Sequence, residues 1–191
     1  MPSSSASPDP GPASRPQWWS RLGIVVCAAV ILLWTLRPGS SGGFQPIPVT
    51  PGPAPAWSIT NVLGGTLSST NLAGHVLVVN FWATWCPPCI RELPDLNAFQ
   101  MAHTNDRITV VGVSVDEAGA DTVRAFVERN KLAYPVGMVS PEMSESFGAQ
   151  GPIPATYVLD RRGHFVARYL GPLTREELER VTRPLVLAPA Q

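Results

Sequence analysis

Cysteine is scarce in this chain, with three in 191 residues, too few to staple a scaffold. Lysine is almost missing: Lys131 stands alone against 13 arginines, which reads as compositional bias of the genome. Residues 1–56 hold Arg15, Arg21, Arg37 and Asp9, and the remainder has 11 basic and 13 acidic residues, so no basic stripe supports nucleic-acid binding. Only three histidines occur, His75, His103 and His164, scattered singly. A zinc site built on a Cys pair needs two further Cys or His ligands in a paired spacing, and none is present. No internal repeat is visible. The length leaves room for one domain of common size plus extra segments.

The N-terminal third is not domain-like. Residues 1–17 are rich in Ser, Pro and Ala and read as disordered, on the cytoplasmic side. Gln17 to Leu36 carries no charge apart from Arg21, and residues 18–37 are long enough, at ~20 residues, for a transmembrane anchor. Trp18 and Trp19 suit an interfacial belt, and Arg15 and Arg21 ahead of the apolar run favour the N-terminus inside. A cleaved signal segment is the competing reading, with small residues at Gly39-Ser40-Ser41. Cys27 lies inside the apolar run, and Val26 before it is too large for a usual lipoprotein site. Residues 38–56 hold six prolines and four glycines and read as a linker, at most ~3.1 Å per residue where it is polyproline-like.

From Trp57 the pattern becomes that of a folded domain, 57–191. Trp57 to Thr60 and Thr66-Leu67 flank Leu63-Gly64-Gly65 and predict a small hairpin. Val76 to Phe81 and Ile108 to Val115 read as fully buried strands. A helix is predicted from Cys86 to about His103, with Pro94 inside it as a kink. Val123, Phe126 and Val127 mark a second helix ending near Asn130, and Pro141 to Phe147 a short third one. Thr156 to Asp160 and His164 to Leu170 are strands joined at Arg161-Arg162-Gly163. Thr174 and Glu177 form a capping box for a last helix to about Val181. The class is α/β.

Between the first buried strand and the first helix stands Phe81-Trp82-Ala83-Thr84-Trp85-Cys86-Pro87-Pro88-Cys89. A C-x-x-C pair at a helix start is a redox arrangement. The unpaired N–H groups and partial positive charge there favour thiolate over thiol. The first cysteine can attack a disulfide, and the second, one turn on, can resolve the mixed disulfide. Pro87 and Pro88 fit a first turn but carry no N–H, so two donors to the Cys86 sulfur are missing. A less stabilised thiolate makes a better reductant. Of Phe81 and Trp82, neighbours in one strand, one is expected to face the core; Trp85 is the better surface candidate.

Trp-Cys-Pro-Pro-Cys after Asn80-Phe81-Trp82-Ala83-Thr84, with Arg91-Glu92-Leu93-Pro94 behind it, closely resembles the TlpA/ResA-like family, which includes the DsbE/CcmG-like cytochrome c maturation reductases. The resemblance runs from about Trp57 to Pro184. It implies a thioredoxin-like fold: a central mixed sheet flanked by helices, an N-terminal hairpin, and a central insertion from about Asp116 to Phe147. It implies an extracytoplasmic thiol–disulfide oxidoreductase on a single-pass bacterial membrane anchor, with Cys86 attacking and Cys89 resolving. It implies no metal or organic cofactor beyond the Cys86–Cys89 pair. Glu92, by the same resemblance, tunes the cysteines; a solvated helix glutamate beside Arg91 is the bland alternative. Pro154, in Gly151-Pro152-Ile153-Pro154-Ala155-Thr156-Tyr157, takes the place of a cis-proline facing the cysteines, and the Ile153 backbone is then free to pair with a substrate strand. Trp85, Pro87 and Pro88 complete the implied substrate surface. Implied partners are protein disulfides such as the C-x-x-C of apocytochrome c, and a membrane thiol transporter of the CcdA/DsbD type as electron donor. Two other classes stay in view: a peroxiredoxin-like peroxidase, whose Pro-x-x-x-Thr-x-x motif does not precede Cys86, and a non-catalytic binding domain.

Overall fold

The computed structural model describes residues 46–49, 52–148 and 151–187. The expected disordered N-terminus and the transmembrane anchor fall outside the described residues. Among those described, no helix is long and apolar enough to cross a membrane.

The chain folds as β1 (Ser58–Thr60), β2 (Thr66–Ser68), β3 (Val76–Trp82), α1 (Pro87–Ala102), β4 (Ile108–Ser114), α2 (Ala120–Asn130), β5 (Val136–Met138), α3 (Pro141–Ser146), β6 (Ala155–Leu159), β7 (Phe165–Leu170) and α4 (Arg175–Leu187). The first two strands make an antiparallel hairpin, and the others a five-stranded sheet in the order β5-β4-β3-β6-β7. β3, β4 and β5 are parallel, and β6 and β7 run antiparallel to their neighbours, so the sheet is mixed. Together these make the thioredoxin-like α/β fold.

β3 is central and buried along all seven residues. Its side chains alternate between two cores. Val76, Val78 and Trp82 join Leu93, Leu96 and Phe99 of α1, Val123 and Val127 of α2, and Leu178 of α4. Leu77, Val79 and Phe81 face Trp57, Ile59, Met143 and Tyr157 on the other side. Phe81 and Trp82 are therefore both fully buried, one on each face, where one alone was expected in the core. Both sheet faces are covered, as is usual for parallel strands.

Helix ends follow the local chemistry. Ser140 accepts from the Met143 N–H with Pro141 in the first turn of α3. Thr174 and Glu177 cap α4 reciprocally, at 2.9 and 3.3 Å. This helix runs on to Leu187, past the expected end near Val181, because Val181, Leu185 and Val186 keep packing against the core. α1 continues through Pro94.

Two further features depart from the sequence reading. β5 is unforeseen: it is three residues long and follows Pro135, too short for a periodic pattern. Gly137 within it admits Ile59 and the Thr60 carbonyl so closely that a Cβ there would lie 2.7–2.8 Å from them, which docks the hairpin on this edge. And the linker is not free along its length. Ile47 and Pro53 bridge to Arg168 and His164, so residues ahead of Trp57 lie along the outer edge of β7.

Candidate active site

The strand β3 ends at Trp82, and four residues later the chain enters α1. Cys86 is the N-cap of that helix, with extended backbone, and its Sγ accepts the Cys89 N–H at 3.3 Å. Pro87 and Pro88 fill the first two helical positions and offer no N–H. Cys86 and Cys89 are joined in a disulfide, with Cα atoms 5.3 Å apart. Cys86 is 4% exposed and Cys89 fully buried. Trp85 beside them is 64% exposed, and Pro87 is exposed as well.

The Ile153–Pro154 peptide is cis. It opens β6, the antiparallel neighbour of β3, and puts the Ile153 carbonyl oxygen 3.9 Å from Cys86 Sγ. Ile153 is half-buried, whereas Pro154 is itself buried and shapes the loop from beneath. Its carbonyl accepts the Gly171 N–H at 2.8 Å, which fixes the loop to the end of β7.

Glu92 lies one turn beyond Cys89 on the same helix. It is 1% exposed, so the alternative of a solvated glutamate does not describe it. One oxygen accepts from Asn80 Nδ2 at 2.7 Å, the other from the Leu173 N–H at 3.0 Å. Asn80 reaches it because it sits between Val78 and Trp82 on the α1-facing side of β3. Burial pushes the Glu92 carboxyl up to about 7, against the pull of the two donated hydrogen bonds, and nearby Asp95 adds to the rise.

Of the residues around this site, Tyr134 carries no sequence signature, while Asn80, Trp82 and Thr156 stand in the quoted motifs. Thr156 accepts from Asn80 Nδ2 at 3.0 Å. Tyr134 is 2% exposed, its hydroxyl has no hydrogen-bond partner among the described residues, and burial followed by the charge of Glu92 pushes its titration up. Trp82 Nε1 and Asn80 Oδ1 are likewise buried and unpartnered among the described residues. Gly112 lets these rings approach: a Cβ there would lie 3.1 Å from the Tyr134 ring and 3.2 Å from Trp82 Nε1.

Asp116 was also missed. Its buried carboxylate accepts from the Thr84 N–H, the Thr84 hydroxyl and the Ser114 hydroxyl, at 2.9, 2.5 and 2.7 Å. That ties the end of β4 to the loop carrying Trp85 and Cys86. The histidines are elsewhere: His75 bonds Thr109, His103 bridges Asp106 and Glu179, and His164 lies near Asp160.

Comparison with known proteins places the chain in a family. Residues 52–168 match the AhpC/TSA family. The thiol-disulfide oxidoreductase ResA of Bacillus thuringiensis (strain Al Hakam) is 29% identical over 126 residues, 66% of this chain and 72% of that one. The sporulation thiol-disulfide oxidoreductase A of Bacillus subtilis (strain 168) is 29% identical over 148 residues, 76% and 87% of the two chains. A thiol:disulfide interchange protein of the thioredoxin family from Chlorobium tepidum TLS superposes with a TM-score of 0.67 at 32% identity, covering 73% of this chain and 99% of its own. With its C-x-x-C at the head of a helix and these relatives, the chain belongs to the thioredoxin-like AhpC/TSA family and is a thiol–disulfide oxidoreductase.

Proposed function

We propose that this protein is an extracytoplasmic reductant of protein disulfides, held at a bacterial membrane by its N-terminal apolar run. The observation that carries the direction of electron flow is the N-cap geometry of Cys86. Its sulfur accepts a single helix N–H, that of Cys89, because Pro87 and Pro88 have none to give. The thiolate keeps the helix dipole but lacks the donor set that would make the reduced form very stable. A reduced form of modest stability gives its electrons away.

In the reduced protein, Cys86 thiolate attacks one sulfur of a substrate disulfide. A mixed disulfide forms, and the substrate's other sulfur leaves as a thiolate and takes up a proton. Cys89 then loses its proton and attacks Cys86 Sγ. The Cys86–Cys89 disulfide closes and the second substrate sulfur leaves, so two electrons pass to the substrate. In this reading Glu92 receives the Cys89 proton; its position one turn along the same helix and a carboxyl pushed up to about 7 support that role. Trp85 and Pro87 offer the substrate an exposed apolar surface. The Ile153 backbone, held opposite Cys86 by Pro154, offers an extended substrate chain a place to pair. No metal or organic cofactor enters these steps.

The substrate class we favour is an extended segment with a C-x-x-C disulfide, as in apocytochrome c, and the electron donor a membrane thiol transporter of the CcdA/DsbD type. Trapping tests the order of the cysteines. A Cys89→Ser variant, reduced and mixed with a disulfide-bonded C-x-x-C-H peptide, accumulates a mixed disulfide through Cys86. A Cys86→Ser variant does not. Equal trapping by both would overturn the assignment.

A further inference from the structure

The two oxygens of the Glu92 carboxylate lead by separate routes to one short segment of chain, the cis-proline loop. One oxygen accepts the Leu173 N–H at 3.0 Å. Two residues back, the Gly171 N–H donates to the Pro154 carbonyl at 2.8 Å. The other oxygen accepts from Asn80 Nδ2 at 2.7 Å, and the same Nδ2 donates to Thr156 Oγ1 at 3.0 Å. Asn80 and Thr156 are register partners of β3 and β6, and Thr156 stands two residues after Pro154. The peptide ahead of Pro154 is cis, and the Ile153 carbonyl oxygen lies 3.9 Å from Cys86 Sγ.

Both routes run through the interior. Glu92, Asn80, Thr156 and Leu173 are each at most 2% exposed, so bulk water does not replace a bond that weakens there. A carboxylate accepts at both oxygens, whereas a carboxylic acid donates through one of them. Protonation therefore turns the Leu173 bond from charge-assisted to neutral, roughly half as strong, and obliges the Asn80 amide to turn its oxygen toward the acid. The two routes to the loop change together. In the proposed reaction the proton passes from Cys89 to Glu92 as Cys89 Sγ bonds to Cys86 Sγ and the substrate sulfur leaves. The change thus falls at the moment when the reduced product must part from the Ile153 backbone.

We infer that Glu92 is also a positioning residue for the substrate platform: through Leu173 and Gly171, and through Asn80 and Thr156, it holds the Ile153–Pro154 loop while ionised and loosens it on taking up a proton, which ties product release to the resolving step. This rests on the proposed pairing of the substrate chain with the Ile153 backbone.

The test follows backbone amides of the full chain by NMR from about pH 5 to about pH 9, in the oxidised protein, where neither cysteine titrates. The titratable groups that then act on Glu92 are Asp95, one turn on along α1, and Tyr134 ahead of β5, whose titration burial pushes up. The Leu173, Gly171 and Ile153 amides should shift together with one midpoint near 7, and Glu92→Gln should leave all three level. A Leu173 shift with Gly171 and Ile153 level, or shifts that persist in Glu92→Gln, would overturn the inference. A second measurement takes the rate at which the reduced chain reduces a disulfide-bonded C-x-x-C-H peptide, against peptide concentration. Thr156→Val cuts one route and leaves both Glu92 oxygens their donors. It should raise the half-saturating concentration about fivefold, the worth of one hydrogen bond, and by more than it lowers the limiting rate. A fall in the limiting rate alone would overturn the inference. The two readings fail separately: an oxidising potential of the cysteine pair removes the direction of electron flow and leaves the amide titration as expected, whereas level amides beside rapid peptide reduction remove the positioning role alone.

Discussion

Glu92 is where burial and chemistry meet in one residue. A carboxyl raised to about 7 by desolvation makes folding pH-dependent. Between about 4.5 and 7 the native state holds a proton that the unfolded chain has released, so stability falls as pH rises through that window and is level above it. The span corresponds to about 3 kcal/mol. Urea unfolding of the wild type at pH 5 and pH 8 should show this loss, and Glu92→Gln should flatten most of it. In the same variant the pH profile of Cys89 alkylation should move, because the nearby proton acceptor is gone; an unmoved profile would leave Glu92 a structural role only. Asn80 suits either partner. Its Nδ2 donates to the carboxylate, and its unpartnered Oδ1 can accept from a protonated acid, or from the amide of Gln, after a flip. The resemblance gave Glu92 a role beside the cysteines as a buried carboxyl, and it is buried; the helix pattern taken alone does not show that burial. The α1 face also carries Cys89, Leu93, Leu96 and Phe99, and a charged residue within such a stripe reads equally as its solvated flank.

Among the elements, the β3–α1 loop depends most on a group far along the chain. Asp116 follows β4, 30 residues beyond Cys86, yet three hydrogen bonds from Thr84 and Ser114 converge on it. Asp116→Ala would strand the Thr84 N–H and two hydroxyls, and should cost about 3 kcal/mol in denaturant unfolding. Asp116→Asn, which keeps acceptor capacity, should cost less; no difference between the variants would mean that the carboxylate does not hold the loop. Nothing local in Val115-Asp116-Glu117 announces this role, since parallel pairing of Trp82 with Ser114 creates the juxtaposition. The long buried strands, α1 and the Thr174–Glu177 cap were legible because period, length and capping chemistry agree. β5 was not, because tertiary pairing with β4 and packing of Ile59 on Gly137 define it.

At the scale of the molecule, both sheet edges are covered. β5 is shielded by the hairpin through Asn61 and Gly137, and β7 by Ile47 and by residues 52–54. Composition alone read that segment as linker, and its prolines still argue for extended backbone; pairing with β7 adds backbone bonds at Arg168, Gly163 and Phe165. A chain starting at Trp57 should therefore be less stable than one starting at Phe44, by about 1–3 kcal/mol, and should self-associate at high concentration through the bared β7 edge. Equal unfolding midpoints and equal sedimentation would show that the segment adds nothing. The fold class and the cysteine pair were legible throughout, because C-x-x-C after a buried strand constrains chemistry and topology together.

The central claim is the direction of electron flow, and the reduction potential of the Cys86–Cys89 pair tests it most directly, measured by equilibration in thiol–disulfide buffers. A value near that of thioredoxin, roughly −270 mV, is the predicted result. A value near −120 mV, that of a strong oxidant, would contradict the account and the argument from Pro87 and Pro88 with it.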